Sequence, residues 1–284
     1  MSGPLSVDAK IVQLSSGKKL FVDVMDEKAG KDAPAIFFMH GLGSNTSFWD
    51  ASLSSSSLLD KYRLIRYDFD GHGLSPVSTT ASAAEGDMLS IDDLVEDLAA
   101  VMEYVGVEKA AGVVGHSMSG MVANKFAATF PDKVDKLVLL GAMRALNPTV
   151  QSVMLKRAST VQSSGLSSVV DGVVSAALSD HTKQSSPLSA ALVRSLVLAA
   201  SPAGYAAACH ALAAAQDPDY AAITAPTLIV AGEHDYMSNS ETAAFFEERI
   251  EGAKRVEMKN VGHWHAVEQP LELRRILEKW FSPS

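Results

Sequence analysis

Eight residues decide the fold: Val113-Val114-Gly115-His116-Ser117-Met118-Ser119-Gly120. The apolar residues 111–114 predict a short buried strand and residues 118–130 have helical spacing, so Ser117 lies on the turn between them. A strand and a helix approach closely at such a turn, and small neighbours make room for a strained serine backbone. The pattern is typical of a nucleophile elbow, which presents a reactive hydroxyl. Because Ser119 replaces the second glycine of Gly-x-Ser-x-Gly, a helix-capping serine is the alternative.

The net charge argues against two classes of partner. The chain has 24 Lys and Arg against 33 Asp and Glu, a formal charge of -9, which repels nucleic acids and anionic membranes. No run of residues is long and apolar enough to span a bilayer, and residues 1–10 lack the pattern of a signal peptide. We therefore expect a cytoplasmic protein that binds neither nucleic acid nor membrane.

Length and cysteine content narrow the class further. At 284 residues and 47% hydrophobic content, the chain fits one large domain or a domain with an insertion. The single cysteine, Cys209, excludes an intramolecular disulfide and a multi-thiolate metal site, which suits a reducing compartment. The sequence carries no signal for an oligomeric state.

Strands and helices alternate on both sides of the serine turn. Apolar runs predict strands at 11–14, 20–25, 35–39, 63–67, 111–114, 136–141, 226–231 and 255–258. The first two, joined by the turn 15–18, begin the sheet antiparallel, and the later alternation predicts a mostly parallel sheet flanked by helices, an α/β fold. A capping box at 90–93 begins a helix that ends near Gly106. Residues 46–59 predict a modest helix, and residues 70–89 predict a surface loop.

The alternation stops between residues 142 and 219. This segment consists of Ala- and Ser-rich helical stretches without a strand-like run. We interpret it as a helical cap, residues 142–219, inserted into a core whose two parts are residues 1–141 and 220–284. The α/β rhythm resumes in the second part, with a helix near 241–250 and a final helix that has Pro270 in its first turn.

A reactive serine needs two partners. Its hydroxyl is a poor nucleophile near neutral pH, so an imidazole must accept its proton and a carboxylate must orient that imidazole. After an elbow, these residues follow in the order serine, acid, histidine. Asp235 lies on the loop after the strand 226–231 and is the predicted acid, with Glu233 as the competitor. His263 follows the last strand and is the predicted base, with His265 as the alternative.

Backbone N–H groups supply the predicted oxyanion hole. Such donors stabilise the charge that appears only as a tetrahedral intermediate forms. Met118 follows the nucleophile directly, and Leu42 lies on the glycine-containing loop after the third strand, so their two N–H groups are the candidates. We expect His40 to order that loop. The run 68–75 has one histidine among isolated acids, without metal-ligand spacing, and we predict neither a metal nor a cofactor.

Five motifs together resemble the α/β-hydrolase superfamily: His40-Gly41-Leu42-Gly43, Asp68-x-x-Gly71-x-Gly73-x-Ser75, Gly115-His116-Ser117-Met118-Ser119, Gly232-x-x-Asp235 and Gly262-His263. The resemblance covers nearly the whole chain outside the cap. Residues 40–49, 202–209 and 262–270 look like the branch of 3-oxoadipate enol-lactonases and cofactor-free haloperoxidase-like esterases. The resemblance implies metal-free hydrolysis of a small-molecule ester or lactone through an acyl-serine intermediate.

The substrate pocket is predicted from this resemblance and from charge. Enol-lactonases typically carry Arg-Trp-Phe-Thr in the cap, where this chain has residues 177–182. Without that arginine, desolvation of a substrate carboxylate is costly, so we expect a neutral, mostly apolar ester or lactone rather than a carboxylated enol-lactone. Arg144 is the best candidate for a compensating cation, and Arg194 is a weaker one. The other predicted pocket residues are Trp49, Val193, Leu196, Val197, Leu198 and Tyr205.

A function of a different class is also open. The run Gly-His-Ser-x-Ser at 115–119 is similar to the elbow of plant butenolide-hormone receptors of the same fold. In such a receptor the triad is kept, turnover is slow and the ligand promotes binding of a partner. The Ala- and Ser-rich cap offers few of the aromatic and arginine anchors that such binding uses.

Overall fold

An eight-stranded sheet forms the centre of the molecule. The computed structural model describes residues 8–78 and 89–282. The strands are β1 Asp8–Gln13, β2 Lys19–Met25, β3 Ala35–Met39, β4 Arg63–Tyr67, β5 Gly112–His116, β6 Leu137–Leu140, β7 Thr227–Gly232 and β8 Lys254–Met258. They lie in the order β1-β2-β4-β3-β5-β6-β7-β8, with β1–β2 and β2–β4 antiparallel and all later pairs parallel. This arrangement confirms the predicted α/β fold and its antiparallel start.

Helices cover both faces of the sheet. They are α1 Asp50–Leu53, α2 Ile91–Tyr104, α3 Met118–Thr129, α4 Pro148–Ser164, α5 Val170–Ala177, α6 Asp180–Ser185, α7 Pro187–Leu198, α8 Pro202–Ala214, α9 Ser240–Arg249, α10 His265–Glu268 and α11 Pro270–Phe281. Apolar residues of α2, α3 and α9 pack on one face, and those of α1 and α11 pack on the other. Strands β3, β5, β6 and β7 are buried along their whole length, as strands covered on both faces must be.

The predicted capping box forms at the start of α2. The N–H of Asp93 donates to the hydroxyl oxygen of Ser90 over 3.1 Å, and the N–H of Ser90 donates to the Asp93 carboxylate over 2.7 Å. At the other end, Gly106 has a φ of 71°, a left-handed conformation that glycine adopts without strain. The sequence signals at both ends of this helix are therefore confirmed.

The prediction of one helix over residues 46–59 was wrong. The chain forms two short 3-10 turns, Thr46–Trp49 and Ser57–Asp60, on either side of the single turn α1. The side chains of Asn45 and Ser56 each accept a hydrogen bond from the backbone N–H two residues further on. Such local bonds compete with the backbone bonds of a continuous helix, so one turn begins after Asn45 and a separate turn begins after Ser56.

Asp70 and His72, at the start of the predicted surface loop after β4, are buried, whereas Leu74 further along the loop is 63% exposed. Residues 79–88 of that prediction lie outside the described residues. The carboxylate of Asp68 accepts the N–H groups of Thr46 and Leu74 over 2.6 and 2.8 Å. These bonds hold the segment against the loop that follows β3, which carries Leu42.

Five helices separate β6 from β7. In this fully described stretch the chain forms α4 to α8 and no strand. We propose that residues 142–219 form a cap on a core made of residues 1–141 and 220–284. Within the described ranges, no single helix is long and apolar enough to cross a membrane; α7 and α8 reach that length and composition only as a pair bent by 94°.

Candidate active site

Ser117 lies at the turn between β5 and α3. Its φ of 56° is unusual for a residue with a side chain and is held in place by the surrounding structure. A Cβ on Gly115 would lie 2.3 Å from the carbonyl oxygen of Ser119, and a Cβ on Gly120 would lie 2.3 Å from Cβ of Ala142. Close backbone approach therefore requires both glycines.

Ser119 has a structural use that explains its place in the elbow. It is fully buried. Its hydroxyl donates to the carbonyl oxygen of Met39 over 2.8 Å and accepts from the N–H of His116 over 2.8 Å. The hydroxyl thus ties the end of β3 to the elbow, which a glycine in this position cannot do.

Three side chains form one hydrogen-bonded row at the carboxyl ends of the strands. His263 Nε2 lies 2.8 Å from Ser117 Oγ, and His263 Nδ1 lies 2.8 Å from Asp235 Oδ2. The other oxygen of Asp235 accepts the N–H groups of Met237 and Ser238 over 2.9 and 2.8 Å. Burial opposes ionisation of Asp235, but the facing His263 and these donors outweigh it and hold the pKa of Asp235 below its usual value. An ionised Asp235 is suited to orient the imidazole.

The two alternative side chains lie elsewhere. The carboxylate of Glu233 faces the β8 end of the sheet, where it accepts the N–H of Asn260 over 2.9 Å and the Lys259 ammonium over 3.0 Å. His265 is fully buried, and its Nδ1–H donates to the backbone carbonyl of His263 over 2.9 Å. Burial lowers the pKa of His265, so this imidazole stays neutral. Neither side chain contacts Ser117.

A second buried imidazole meets the same carbonyl. His116 Nε2–H donates to the carbonyl oxygen of His263 over 2.7 Å, and its ring stacks on Phe48 with centroids 4.4 Å apart. The backbone of the predicted base is thus held by two imidazole donors. The sequence offered no signal for this contact, because it joins residues 147 positions apart.

The loop after β3 approaches Ser117 closely. A Cβ on Gly41 would lie 2.9 Å from Cβ of Ser117, so the peptide that carries the Leu42 N–H lies beside the elbow. His40 orders this loop, as predicted: its Nδ1–H donates to the carbonyl of Gly41 over 2.8 Å, and its Nε2 accepts the N–H of Phe69 over 3.0 Å. Within the described parts of the chain, the N–H groups of Leu42 and Met118 have no protein acceptor.

A mostly apolar cavity of about 270 Å³ opens at Ser117 and His263. Its walls come from the core loops, from α4 and α5 and from α8. The main apolar residues of the lining are Leu42, Met143, Leu146, Val150, Met154, Val173, Leu212, Met237 and Trp264. An apolar wall around a few hydrogen-bonded polar side chains is typical of a small-molecule site.

The predicted pocket residues fall in several places. Tyr205 lines the cavity. Trp49 does not: it is fully buried in the core, 5.3 Å from the ring of Phe38 between centroids. Arg144 also lies outside the cavity, with its guanidinium 4.0 Å above the ring of Phe245. Arg194 pairs with the exposed Asp171 over 2.7 Å.

The predicted aliphatic pocket residues are likewise placed elsewhere. Val193, Leu196 and Val197 belong to the hydrophobic core, and Leu198 is 46% exposed. The helix α7, which carries all four, turns its apolar face to the core and not to the cavity. Helical spacing therefore identified a buried face correctly, but it does not show which buried face borders a cavity.

Arg157 is the cavity residue that sequence reasoning missed. It lines the cavity, as does Tyr205, and its charge acts on the Tyr205 hydroxyl. Burial raises the pKa of Tyr205 to about 12, and the nearby Arg157 opposes part of this rise. Among the ion pairs of the described residues, Arg157 has no carboxylate partner. The sequence feature that could have identified Arg157 is its helical spacing from Val150 and Met154, which places all three on the same face of α4.

Potential metal ligands stay apart in the folded chain. In the ranges 8–78 and 89–282, no three His, Cys, Asp or Glu side chains come together in a way that would hold a metal ion. Cys209 is buried, and burial raises the pKa of its thiol to about 12, so it lacks the thiolate character of a ligand or nucleophile.

Known proteins share this architecture. The family model described as "alpha/beta hydrolase fold" matches residues 34–270. The chain is 27% identical to 3-oxoadipate enol-lactonase 2 of Acinetobacter baylyi over 248 residues, which cover 87% of this chain and 88% of the relative. It superposes on the enol-lactonase of Burkholderia xenovorans with a TM-score of 0.86 at 24% identity, covering 96% of this chain and 100% of that one. The thermophilic esterase of Thermogutta terrifontis gives a TM-score of 0.83 at 24% identity, covering 96% and 98%.

Proposed function

Because the chain belongs to the alpha/beta hydrolase fold family, we propose that it cleaves a carboxylic ester or lactone through an acyl-serine intermediate. The observation that carries the proposal is the row Asp235–His263–Ser117, joined by two hydrogen bonds of 2.8 Å at the mouth of an apolar cavity. The names of the enol-lactonase and esterase relatives support the same class of substrate.

In the proposed mechanism, Ser117 Oγ attacks the substrate carbonyl carbon while His263 Nε2 accepts the hydroxyl proton. Asp235 keeps the proton of His263 on Nδ1 and stabilises the imidazolium that forms. As the carbon–oxygen bond to the leaving group breaks, the imidazolium returns a proton to the leaving alkoxide. For a lactone, that hydroxyl remains tethered to the acyl group.

The acyl-serine is then hydrolysed by the same groups. A water molecule attacks the acyl carbon while His263 accepts one of its protons, and the second tetrahedral intermediate expels Ser117 Oγ, which regains a proton. In both steps the N–H groups of Leu42 and Met118 are proposed to donate to the oxyanion. Removing one such donor typically slows an enzyme by about 100- to 1,000-fold.

We further propose that the enzyme is cytoplasmic and acts on a small molecule without a cofactor. The net charge of -9 gives no attraction for nucleic acid or an anionic membrane. The cavity volume of about 270 Å³ suits a small acyl group or a lactone ring. The serine mechanism needs no metal, because the imidazole supplies the base and the backbone N–H groups stabilise the oxyanion.

A carboxylated lactone is the second candidate substrate. Arg157 is a cation in a mostly apolar cavity, and among the described residues it has no carboxylate partner. A substrate carboxylate placed beside it would be compensated, which removes the charge argument for a neutral substrate. The absence of the Arg-Trp-Phe-Thr run therefore favours a neutral substrate, whereas Arg157 favours a carboxylated one.

Steady-state turnover of matched substrates tests the proposed function. A panel of short-chain esters, a neutral lactone and its carboxylated analogue is assayed with wild type and Ser117→Ala. We expect steady turnover that falls by at least about 1,000-fold in Ser117→Ala, because the hydroxyl forms the covalent bond. A stoichiometric burst without turnover would favour the receptor alternative, and substantial activity in Ser117→Ala would refute the proposed nucleophile.

Two arginine variants decide between the neutral and carboxylated substrates. Arg157→Gln removes the cation of the cavity, whereas Arg144→Gln removes a cation outside it and is the matched control. If the substrate carries a carboxylate, kcat/KM for the carboxylated lactone falls about 10- to 100-fold in Arg157→Gln only, and the neutral lactone is little affected. Equal values for both lactones in wild type and in Arg157→Gln would support the neutral substrate.

A further inference from the structure

The carboxylate of Glu268 joins the loop of His263 to the cap. Glu268 is the last residue of α10 and is partly buried. Its Oε1 accepts the N–H groups of Gly262 and Trp264 over 3.0 and 3.1 Å. Its Oε2 accepts the N–H of Ser179 and the hydroxyl of Thr182 over 3.0 and 2.8 Å. Oε1 thus bonds to the loop that carries His263, called the histidine loop below, and Oε2 bonds mainly to the cap.

The bonds to the loop bracket His263. Gly262 and Trp264 are its two chain neighbours, and the N–H of His263 itself donates to the carbonyl of Ala177 over 2.7 Å. Three successive N–H groups are therefore fixed, two by Glu268 and one by the end of α5. The position of the imidazole between Ser117 and Asp235 depends on this fixed backbone.

The loop and the cap also touch backbone to backbone. A Cβ on Gly262 would lie 2.6 Å from the nitrogen of Ser179 and 2.7 Å from the carbonyl oxygen of Ala177. The glycine is thus needed because it allows this close approach. Because Ala177 also lines the substrate cavity, the wall that meets the substrate is bonded directly to the histidine loop.

The four groups facing Glu268 are all donors, and no Lys or Arg among the described residues pairs with its carboxylate. Only an acceptor with two oxygens satisfies them together. A glutamine keeps the shape but has one acceptor oxygen and one NH₂ group, so the NH₂ group must face N–H or O–H donors on one of the two sides. The site is therefore built for a carboxylate.

We propose that Glu268 is a positioning residue that couples the cap to His263 and holds the imidazole in register with Ser117. The proposal rests on the proposed function, in which His263 is the base. Glu268 does not contact the reacting atoms. It acts through the backbone of its neighbours, and a displacement of about 1 Å at a catalytic group is sufficient to cost about 100-fold in rate.

The test compares Glu268→Gln with Glu272→Gln, a control on the exposed side of α11 where Glu272 pairs with Arg275. Reactive sites are counted with a serine-directed phosphonate, so that kcat refers to folded protein only. We expect kcat to fall at least about 10-fold in Glu268→Gln, with KM changed less than about threefold, and no change in Glu272→Gln. The acid limb of the kcat/KM profile should move to lower pH, since a looser contact with Asp235 stabilises the imidazolium less.

Thr182→Val removes only the cap-side hydroxyl and is the second variant. It should lower kcat by about two- to fivefold. It should lower the melting temperature less than truncation of a buried apolar side chain does. A kcat per reactive site within twofold of wild type in both Glu268→Gln and Thr182→Val, with an unmoved pH profile, would overturn the coupling. Failure of the proposed function is separate, because it would appear as an inactive wild type or an active Ser117→Ala.

Discussion

At the level of single residues, the proposed acid is distinguished from its competitor by its contacts. Asp235 has one oxygen on His263 and the other on two backbone N–H groups, whereas Glu233 bonds to Lys259 and Asn260 away from the serine. Both acids follow β7 within three residues, so spacing alone left them as competitors. Only the direction of the side chains separates them.

Asp235→Asn should be severe, and Glu233→Gln should be mild. The amide favours the wrong tautomer of His263, for which a loss in kcat of about 10,000-fold is known from serine triads. Glu233→Gln removes only exposed contacts and should keep kcat within about twofold. The measurement is kcat for both variants on one ester. Equal losses, or a larger loss in Glu233→Gln, would transfer the role of the acid to Glu233.

Individual residues also show what could be predicted and what could not. The positions of Ser117, Asp235 and His263 after strand ends were readable, because parallel strands place their carboxyl ends at one edge of a sheet. Trp49 and Arg144 were misplaced because their side-chain directions depend on neighbours far along the chain. Glu268 was missed for the same reason: its donors come from the cap and from the histidine loop.

Among the helices and strands, the long periodic segments were predicted well. The capping box and Gly106 located α2, and the apolar runs located β3, β4 and β7, because local pattern and tertiary packing agree there. The segment 46–59 failed because side-chain bonds to the backbone broke the helix into turns. Packing against the core, which the composition does not reveal, buried the first residues of the loop after β4.

The contact between α3 and the end of β6 gives a stability prediction for these elements. A methyl group on Gly120 would lie 2.3 Å from Cβ of Ala142, so Gly120→Ala should lower the free energy of unfolding by about 1–3 kcal/mol. Gly172 is an exposed helical glycine in α5, and a methyl group added to it would have nothing within 4 Å. Gly172→Ala should therefore raise the free energy of unfolding by up to about 1 kcal/mol.

Urea unfolding of the two glycine variants provides the measurement. The two midpoints should move in opposite directions from wild type, with unchanged slopes. A neutral or stabilising Gly120→Ala would show that α3 and β6 separate easily at the elbow, in conflict with their tight approach.

Across the molecule as a whole, buried histidines make stability depend on pH. Burial lowers the pKa of four imidazoles, to about 3 for the first of them: His40, His72, His116 and His265. Below pH 6.5, the ordinary pKa of histidine, the unfolded chain takes up protons on these residues more readily than the folded chain does. The unfolded state then binds more protons, so stability falls as the pH falls.

Two buried carboxyl groups have the opposite effect on the pH dependence of stability. Burial raises the pKa of Asp68 and of Asp97 from 3.8 to about 6, so the folded chain binds these two protons first as the pH falls. Because four imidazoles favour the loss of stability and two carboxyl groups oppose it, stability should still fall as the pH falls below 6.

Urea unfolding between pH 7.5 and about 5 checks this pH dependence. His72→Gln removes one of the buried imidazoles, so stability should fall less steeply with falling pH in this variant than in wild type. Stability that stays constant or rises down to about pH 5 would contradict the lowered pKa values of the four buried imidazoles.

Covalent labelling tests most directly whether Ser117 is the nucleophile. Wild type, Ser117→Ala and Ser119→Ala are treated with a serine-directed phosphonate, and intact mass and peptide mapping locate the adduct. We predict one adduct per chain, on Ser117, in wild type and in folded Ser119→Ala, and none in Ser117→Ala. An adduct in Ser117→Ala, or one mapped to another serine in wild type, would contradict this assignment.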